Sequence, residues 1–291
     1  WTILDATGRL LHRLNPTRVS GSCALSLHRA DLQSLLLKHL APGTVRLGFE
    51  VIEFHETNEF IEIVSRSGER LRGIVLVGAD GLRSAVRRLA RGTDDQLDDC
   101  GYVGWRCVVP FIPRGYEGRA LTESWGEGKR FGISPLGGDR CYWYATANRL
   151  APLNPTAATS ASTPADKDEL LRLFGHWHAP IPELISTTPA ESILISAILD
   201  RRADMRARGA SRVTLLGDTA HAMTPNLGQG ACAALEDAWI LARECAAASS
   251  PVEGLRSYER IRGRAGKMGC PRLASVGQRN PTREPAAHRH A

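Results

Sequence analysis

The sequence predicts a mixed α/β fold in which an antiparallel sheet is inserted into a domain built on buried parallel strands. Two short apolar runs, residues 74–77 and 213–216, each lead into a glycine and an aspartate and then a helix. Buried strands of a parallel sheet have this pattern. Between the two runs, residues 102–147 contain short strand-like segments separated by glycine turns, which is typical of an antiparallel sheet.

Composition excludes several classes of protein. The chain has 291 residues, of which 43% are hydrophobic and 23% charged, as expected for a globular protein. No apolar run approaches the ~20 residues that span a bilayer, so no stable membrane insertion is predicted. The net charge is +6, but the basic residues are scattered up to Arg256, which argues against nucleic-acid binding. An anionic cofactor or substrate explains this excess of positive charge better than a nucleic acid does.

The cysteines and histidines give no metal or disulfide signal. The seven cysteines are odd in number and include no Cys-x-x-Cys pair, so free thiols in a reducing compartment such as the cytoplasm are predicted. The pairs His176/His178 and His288/His290 lack carboxylate or cysteine partners at metal-binding spacing. We therefore predict no metal site.

The elements before the insertion follow from periodicity and turn residues. Residues 1–14 predict a hairpin that turns at residues 5–8, and residues 26–40 predict a helix with a leucine stripe. Strands are predicted at 45–51, 60–65 and 70–77. The last one leads into Gly78-Ala-Asp80-Gly-Leu-Arg-Ser84 and a helix to about Arg91. Asp80 could cap this helix, order backbone N–H groups beside a ligand, or do both.

The insertion is predicted to contain strands at 102–110, 122–125, 130–135 and 140–147. Alternation along the last of these places Tyr142 and Tyr144 on the face opposite Trp143. A Pro/Ala/Ser/Thr loop at 150–164, a helix at 168–177 and a strand at 193–199 follow. Six aromatic residues could line a cavity or fill a core: Trp105, Trp125, Phe131, Tyr142, Trp143 and Tyr144.

The stretch 212–239 carries the strongest chemical signal. A strand at 213–216 ends in Gly217-Asp218, a loop runs from Pro225 to Gly230, and a helix follows. The carboxylate can accept from sugar-type hydroxyls, the glycines allow close backbone approach, and the helix dipole favours negative charge. We expect Asp237 on this helix to be solvated. The helix is predicted to have an apolar face of Ala231, Leu235, Ala238, Ala242 and Cys245.

These stretches resemble the FAD-dependent aromatic-hydroxylase-like monooxygenases, the family of salicylate hydroxylase and zeaxanthin epoxidase. That family has Gly-Asp-Ala-Ala-His, then Pro, Gly-Gln-Gly and a helix with Glu-Asp-Ala, and it also has Gly-Ala-Asp-Gly-x-x-Ser. Here Thr219 replaces the first alanine. Gly228-x-Gly230-x-x-Ala233 also satisfies a dinucleotide-binding pattern formally, but no strand leads directly into Gly228.

The resemblance implies FAD as cofactor, NADH or NADPH as transient reductant, O2 as co-substrate and an aromatic or alkene substrate. Arg29, in a similar Arg-x-Asp-Leu segment, would lie against the FAD phosphates or ribityl chain; the alternative is a solvated arginine. Asp80 would lie near the pyrophosphate and Asp218 on the ribityl hydroxyls. No catalytic residue is assigned; His221 is interpreted as a brace for the loop, with catalysis as the alternative. The remaining cofactor-binding candidates are Pro225, Gly228, Gln229, Gly230 and Ala231.

The same resemblance predicts the domain organisation. Residues 1–98 and 200–262 would form part of a Rossmann-like FAD-binding domain, and residues 99–199 an inserted substrate domain. The family begins with a Gly-x-Gly-x-x-Gly unit that does not precede Trp1, so we expect a truncated chain that holds flavin weakly. Residues 263–291 are predicted to be disordered. The alternatives are a flavin-dependent reductase of the same fold or a non-catalytic ligand-binding remnant.

Overall fold

The computed structural model describes residues 1–13, 25–92, 97–118, 120–149, 167–201 and 212–269, without the side chains of 227 and 264–269. The chain forms two compact units. The first contains residues 1–45 and 101–198, and the second contains residues 46–100 and those from 199 onward. Residues 101–198 thus lie between the two segments of the second unit along the chain. Residues 1–45, however, group with the insertion and not with residues 46–100.

The first unit is built on a seven-stranded sheet. Its strands are β1 (Thr2–Asp5), β2 (Leu10–Arg13), β7 (Asp98–Val109), β8 (Thr122–Gly126), β9 (Lys129–Leu136), β10 (Arg140–Asn148) and β11 (Leu194–Asp200). Their order in the sheet is β11-β7-β10-β9-β8-β1-β2. Strands β7, β10, β9 and β8 pair antiparallel in that sequence, as do β1 and β2, whereas β1 pairs parallel with β8. The N-terminal hairpin is thus present as predicted, and its parallel pairing explains why it joins the insertion.

One face of this sheet forms a core with helices α3 (Lys167–Phe174) and α4 (Ile181–Thr187). Trp143 is 0% exposed and stacks on Phe131 at a centroid distance of 5.4 Å. Its indole N–H donates to Thr188 Oγ1 at 3.1 Å, so the buried ring leaves no polar group unsatisfied. Three of the six aromatic candidates therefore fill a core: Trp105, Phe131 and Trp143.

The predicted helix over 26–40 is shorter than expected. Helix α1 (Arg29–Leu37) has no buried residue, and its predicted leucine stripe lies at the surface of the described chain. The helix is anchored at its side through Asp31, whose carboxylate pairs with Arg140 of β10. The periodic leucines thus predicted the helix correctly but not its burial.

The second unit contains a three-stranded antiparallel sheet and a two-stranded parallel one. The predicted strand at 45–51 begins only at Val51, and the predicted strand at 70–77 is two separate strands. The elements are β3 (Val51–Glu56), β4 (Ile61–Ser65), β5 (Arg70–Gly73), β6 (Leu76–Gly78), β12 (Val213–Leu215), α2 (Ala85–Arg91), α5 (Asp218–His221), α6 (Gly230–Ala247) and α7 (Pro251–Gly269).

Helix α7 corrects the expectation of disorder from residue 263, because the helix continues to Gly269. Its apolar side explains its order up to Arg262: Leu255 and Tyr258 are fully buried, and the Tyr258 hydroxyl donates to Leu215 O at 3.1 Å. The remainder of that predicted tail, and the predicted loop at 150–164, fall outside the described residues. No described helix is both long and apolar enough to cross a bilayer.

Candidate functional site

Two aspartate-bearing turns lie side by side in the second unit. Strands β6 and β12 pair in parallel, with Leu215 opposite Gly78, and Leu216 N donates to Gly78 O at 2.9 Å. Because the carboxyl ends of parallel strands meet at one sheet edge, the turns that carry Asp80 and Asp218 leave the sheet together. Both aspartates are exposed. Ligands of open α/β sheets bind at this kind of edge.

The Asp80 turn is fixed to the start of helix α2. Asp80 Oδ1 accepts from Ser84 Oγ at 2.5 Å, and Oδ2 accepts from Val86 N at 3.1 Å. Ser84 is the N-cap of α2, since its hydroxyl accepts from Arg87 N at 2.8 Å. Asp80 therefore supports the helix cap, as one of the two sequence-based interpretations expected.

Thr219 joins the two turns, which sequence reasoning did not foresee. Its Oγ1 accepts from Gly81 N at 2.9 Å and lies 3.3 Å from Asp80 Oδ1. Its carbonyl accepts from Arg87 Nη1 at 3.0 Å and from Arg201 Nη1 at 3.4 Å. These contacts link residues that are far apart in the chain, so no local sequence signal could have revealed them.

Asp218 is the first residue of α5, and its side chain is free to meet a ligand. Within the described part of the chain its carboxylate has no hydrogen bond and no ion pair. The apolar strand that precedes it suggested a sheltered carboxylate, but the side chain points to the surface. An exposed carboxylate at a strand end can accept hydrogen bonds from hydroxyl groups without first losing a protein partner.

Asp237 is buried, so the expectation of a solvated residue is wrong. It is 0% exposed. Its Oδ2 accepts from Gly217 N at 2.9 Å and lies 2.6 Å from His221 Nε2, and its Oδ1 lies 2.5 Å from Arg262 Nε. Burial alone would raise the pKa of Asp237, but the His221 and Gly217 hydrogen bonds and the charges of His221 and Arg262 outweigh it and lower the pKa.

The buried face of α6 shows why that expectation failed. Asp237 shares this face with Ile240 and Leu241, whereas four of the five residues of the predicted apolar face are exposed: Ala231, Leu235, Ala238 and Ala242. The spacing of Asp237 with the two large apolar residues was the signal that could have identified the buried face. His221 and Asp237 together brace the turn that presents Asp218.

The start of α6 is open to solvent. Residues 225–227 form a turn of 3-10 helix, Gly228 has φ 64°, and α6 begins at Gly230 after Gln229. Pro225, Gly228, Gln229 and Ala231 are exposed. The first N–H groups of a helix have no intrahelical partner and carry the positive end of its dipole. This loop and helix start can therefore receive an anionic or electron-rich group.

Arg29, the remaining predicted site residue, belongs to the first unit. It is the exposed first residue of α1. Its contact with a cofactor stays a prediction.

The face of the seven-stranded sheet opposite the core carries polar and aromatic groups. Tyr142 and Tyr144 lie there as alternation predicted, with ring centroids 5.9 Å apart. The Tyr144 ring covers Gly132 of β9, where a Cβ atom would overlap it. Its hydroxyl donates to Glu123 Oε1 of β8 at 2.9 Å. Burial, reinforced by the charge of Glu123 and this hydrogen bond, raises the pKa of Tyr144 far above its ordinary value.

Comparison with known proteins identifies the family. A model of the FAD binding domain matches residues 13–268. Aurachin C monooxygenase/isomerase of Stigmatella aurantiaca is 37% identical over 283 residues, which cover 95% of this chain and 71% of that protein. Chloroplastic zeaxanthin epoxidase of Solanum lycopersicum is 35% identical over 262 residues, 86% of this chain and 38% of that protein. This chain thus spans well under two thirds of the epoxidase.

Solved structures agree with this result. HpxO of Klebsiella pneumoniae, complexed with FAD and uric acid, is similar with a TM-score of 0.81 and 29% identity, covering 92% of this chain and 68% of that one. A substrate complex of salicylate hydroxylase has a TM-score of 0.67 and 25% identity, covering 83% and 63%. The predicted mixed α/β fold related to FAD-binding monooxygenases is confirmed.

FAD, the cofactor that the family implies, fits the residues at the sheet edge. FAD offers hydroxyl groups, negatively charged phosphates and a ring that becomes electron-rich on reduction. The edge offers the Asp218 carboxylate, which has no partner among the described residues, a glycine at position 228 that allows close approach to the backbone, and the exposed start of α6 at Gly230. The predicted resemblance is confirmed by the family match and the relatives: the chain belongs to the FAD-dependent monooxygenases with an FAD binding domain.

Proposed function

We propose that this chain belongs to an NAD(P)H- and O2-dependent monooxygenase that hydroxylates or epoxidises an aromatic or alkene substrate. The names of its relatives, a monooxygenase/isomerase and an epoxidase, support this reaction class. The structural observation that carries the proposal is the juxtaposition of the Asp80 and Asp218 turns at the edge formed by β6 and β12. An open helix start follows them in the same unit.

Each part of the edge has a separate role toward FAD. Asp218 accepts hydrogen bonds from the ribityl hydroxyls, because its carboxylate has no other partner among the described residues. The N–H groups at Gln229 and Gly230, with the dipole of α6, stabilise negative charge on the reduced ring. The Gly228 N–H is not available for this role, because it donates to Pro225 O at 3.0 Å. Pro225 and Ala231 shape the approach to the ring. When bound, FAD supplies the electron transfer and oxygen activation, which protein side chains cannot perform.

The Asp80 turn holds the phosphate end of the cofactor in this proposal. Asp80 orders the start of α2 through Ser84 and Val86 N, so the backbone N–H groups there are fixed before the pyrophosphate binds. Arg29 contributes positive charge to the phosphates or contacts the ribityl chain. Prearranged donors reduce the entropy that is lost on binding.

The free cysteines support the proposed cellular compartment of the reaction. Cys100, Cys107, Cys141, Cys232 and Cys245 are free thiols in the described part of the chain. We therefore place the protein in a reducing compartment such as the cytoplasm. NADH or NADPH acts as the transient reductant, and the organic substrate is a small aromatic or alkene molecule.

Replacing Asp218 by alanine tests the placement of FAD. In the full-length protein, Asp218→Ala should lose FAD on dialysis while its circular dichroism stays unchanged. Hydrogen bonds to a charged group contribute about 1.5–3 kcal/mol each, so losing one or two should weaken FAD roughly ten- to several-hundred-fold. The measurement is the dissociation constant from flavin fluorescence.

Glu59→Ala is the matched control, because Glu59 is an exposed acid in the β3–β4 turn of the same unit. It should bind FAD like the parent. Equal FAD affinity in the parent and in Asp218→Ala would contradict the proposed placement. Transfer of an atom of isotopically labelled O2 into the product of the full-length enzyme distinguishes a monooxygenase from a flavin-dependent reductase.

A further inference from the structure

We propose that Thr219 is a positioning residue whose hydroxyl couples the two aspartate turns, so that tight FAD binding depends on that hydroxyl. The inference rests on the proposed placement of FAD at these turns. Thr219 stands where the family motif given above has alanine. The hydroxyl is therefore a feature of this chain and not of the motif, and it does not touch the cofactor in the proposed arrangement.

The hydroxyl of Thr219 is fully used by the neighbouring turn. Thr219 is 0% exposed. Its Oγ1 accepts from Gly81 N at 2.9 Å. The hydroxyl hydrogen has two acceptors within reach, Asp80 Oδ1 and Gly81 O, each at 3.3 Å. Since Gly81 has φ 84°, its N–H is directed by a left-handed turn that few other residues adopt. One buried hydroxyl thus satisfies that N–H and contacts the carboxylate beside it.

Two buried arginines hydrogen-bond to the backbone carbonyl of Thr219. Its carbonyl accepts from Arg87 and Arg201, which are 3% and 8% exposed. Arg87 belongs to α2, the helix that Asp80 caps. Thr219 therefore has three connections to the Asp80 turn and its helix: through Gly81, through Asp80 and through Arg87. Asp218 is its immediate neighbour in the chain, so the position of Asp218 follows that of Thr219.

Alanine at position 219 would keep the fold of the turn but remove the coupling. The Gly81 N–H would lose its acceptor, and a backbone donor left unsatisfied away from water destabilises the conformation that needs it. The two turns could then move separately in the free protein. Binding FAD would have to restrict that motion, and the restriction costs affinity without any loss of a contact to the cofactor.

The test compares three substitutions in the full-length protein. Thr219→Ala and Thr219→Val remove the hydroxyl, and we expect FAD to bind about tenfold more weakly in both, the effect of one lost buried hydrogen bond. Thr219→Ser keeps the hydroxyl and should stay within about threefold of the parent. Thr187→Ala is the control, since the hydrogen bonds that the Thr187 hydroxyl makes to described residues stay within its own helix in the first unit. It should not change FAD affinity.

Two further readouts separate coupling from simple loss of structure. Hydrogen exchange at the Gly81 amide should accelerate in Thr219→Ala without FAD, whereas circular dichroism should not change. In a double-mutant cycle of Thr219→Ala with Asp80→Ala, the losses of FAD affinity should be less than additive, because both substitutions remove the contact between Thr219 Oγ1 and Asp80 Oδ1.

The outcomes that would overturn the inference are distinct. Equal weakening in the alanine and serine variants would show that the methyl group, not the hydroxyl, matters. Loss of FAD in Asp218→Ala but not in Thr219→Ala would contradict the proposed coupling through Thr219 and leave the proposed function intact. Unchanged FAD affinity in both Asp218→Ala and Thr219→Ala would contradict the inference and also the proposed placement of FAD. If Thr219→Val does not fold, the comparison of FAD affinity between Thr219→Ala and Thr219→Ser decides whether the hydroxyl matters.

Discussion

The turn at Asp218 and the segment of α6 around Asp237 place the same side chain in opposite surroundings. Asp218 is exposed and has no polar partner in the described part of the chain. Asp237 is 0% exposed and is contacted by a backbone N–H, an imidazole and a guanidinium. A buried charge must be paired to be tolerated, whereas an exposed one can remain unpaired until a ligand arrives. The buried, paired arrangement of Asp237 indicates a structural role, and the exposed, unpaired arrangement of Asp218 indicates a binding role.

The two aspartates are also connected. Gly217, which directly precedes Asp218, donates its N–H to Asp237. Its φ of 58° and ψ of −139° form a conformation that only glycine adopts readily. A side chain at position 217 would also approach Ala234 of α6, whose Cβ lies 3.2 Å from an added Cβ. The buried aspartate thus fixes the backbone from which the exposed one projects.

Removing the buried aspartate should have the largest effect. Asp237→Ala leaves His221, Gly217 N–H and Arg262 without their shared acceptor, and losing one partner of a buried charge pair costs about 3–5 kcal/mol. We expect the free energy of unfolding to fall by this amount in urea denaturation. Asp237→Asn keeps one oxygen acceptor and should lose less. A parent-like denaturation midpoint in both variants would remove the distinction between the two aspartates.

Acid should reduce the contribution of Asp237 in a defined direction. Its pKa in the folded chain is lowered from the ordinary 3.8. The stabilisation is therefore fully present above the ordinary value and is lost as the pH falls through the folded pKa. The difference in unfolding free energy between the parent and Asp237→Asn should be constant near neutral pH and shrink at acid pH. A difference that grows on acidification would contradict the sign of this shift.

The exposed aspartate should matter least for stability. Asp218→Ala removes no described contact, so the unfolding free energy without FAD should change by no more than about 0.5 kcal/mol. The same denaturation experiment with saturating FAD should reveal a larger gap, because weaker binding gives less stabilisation by ligand. A large loss of stability without FAD would mean that Asp218 also has a structural role.

Local patterns predicted the elements that position the site. Apolar runs ending in glycine and aspartate correctly gave β6, β12 and the turns after them, since a buried strand leaves a strong local signal. The helix start at Gly230 followed from the glycine loop. The family resemblance, carried by the residues of these turns, predicted the fold and the FAD cofactor correctly.

The parts that were wrong or unforeseen depend on long-range contacts or on weak local signals. Alanine buries little area, so the row of alanines on α6 did not determine which face is buried; Ile240 and Leu241 did. The hairpin of β1 and β2 was recognisable, but its parallel pairing with β8 joins distant segments. The bridge from Thr219 to Gly81 likewise connects two motifs far apart in sequence.

Gly132 on β9 influences a hydrogen bond to Glu123 on the neighbouring strand β8, although Gly132 does not contribute a group to that bond. Tyr144 crosses β9 only because Gly132 leaves its ring room, and its hydroxyl thereby reaches Glu123 on β8. Any larger residue at position 132 would lift the ring and leave a nearly inaccessible carboxylate without its phenol donor. A substitution at Gly132 would therefore remove a hydrogen bond from Glu123, a residue on the neighbouring strand that the substitution itself does not change.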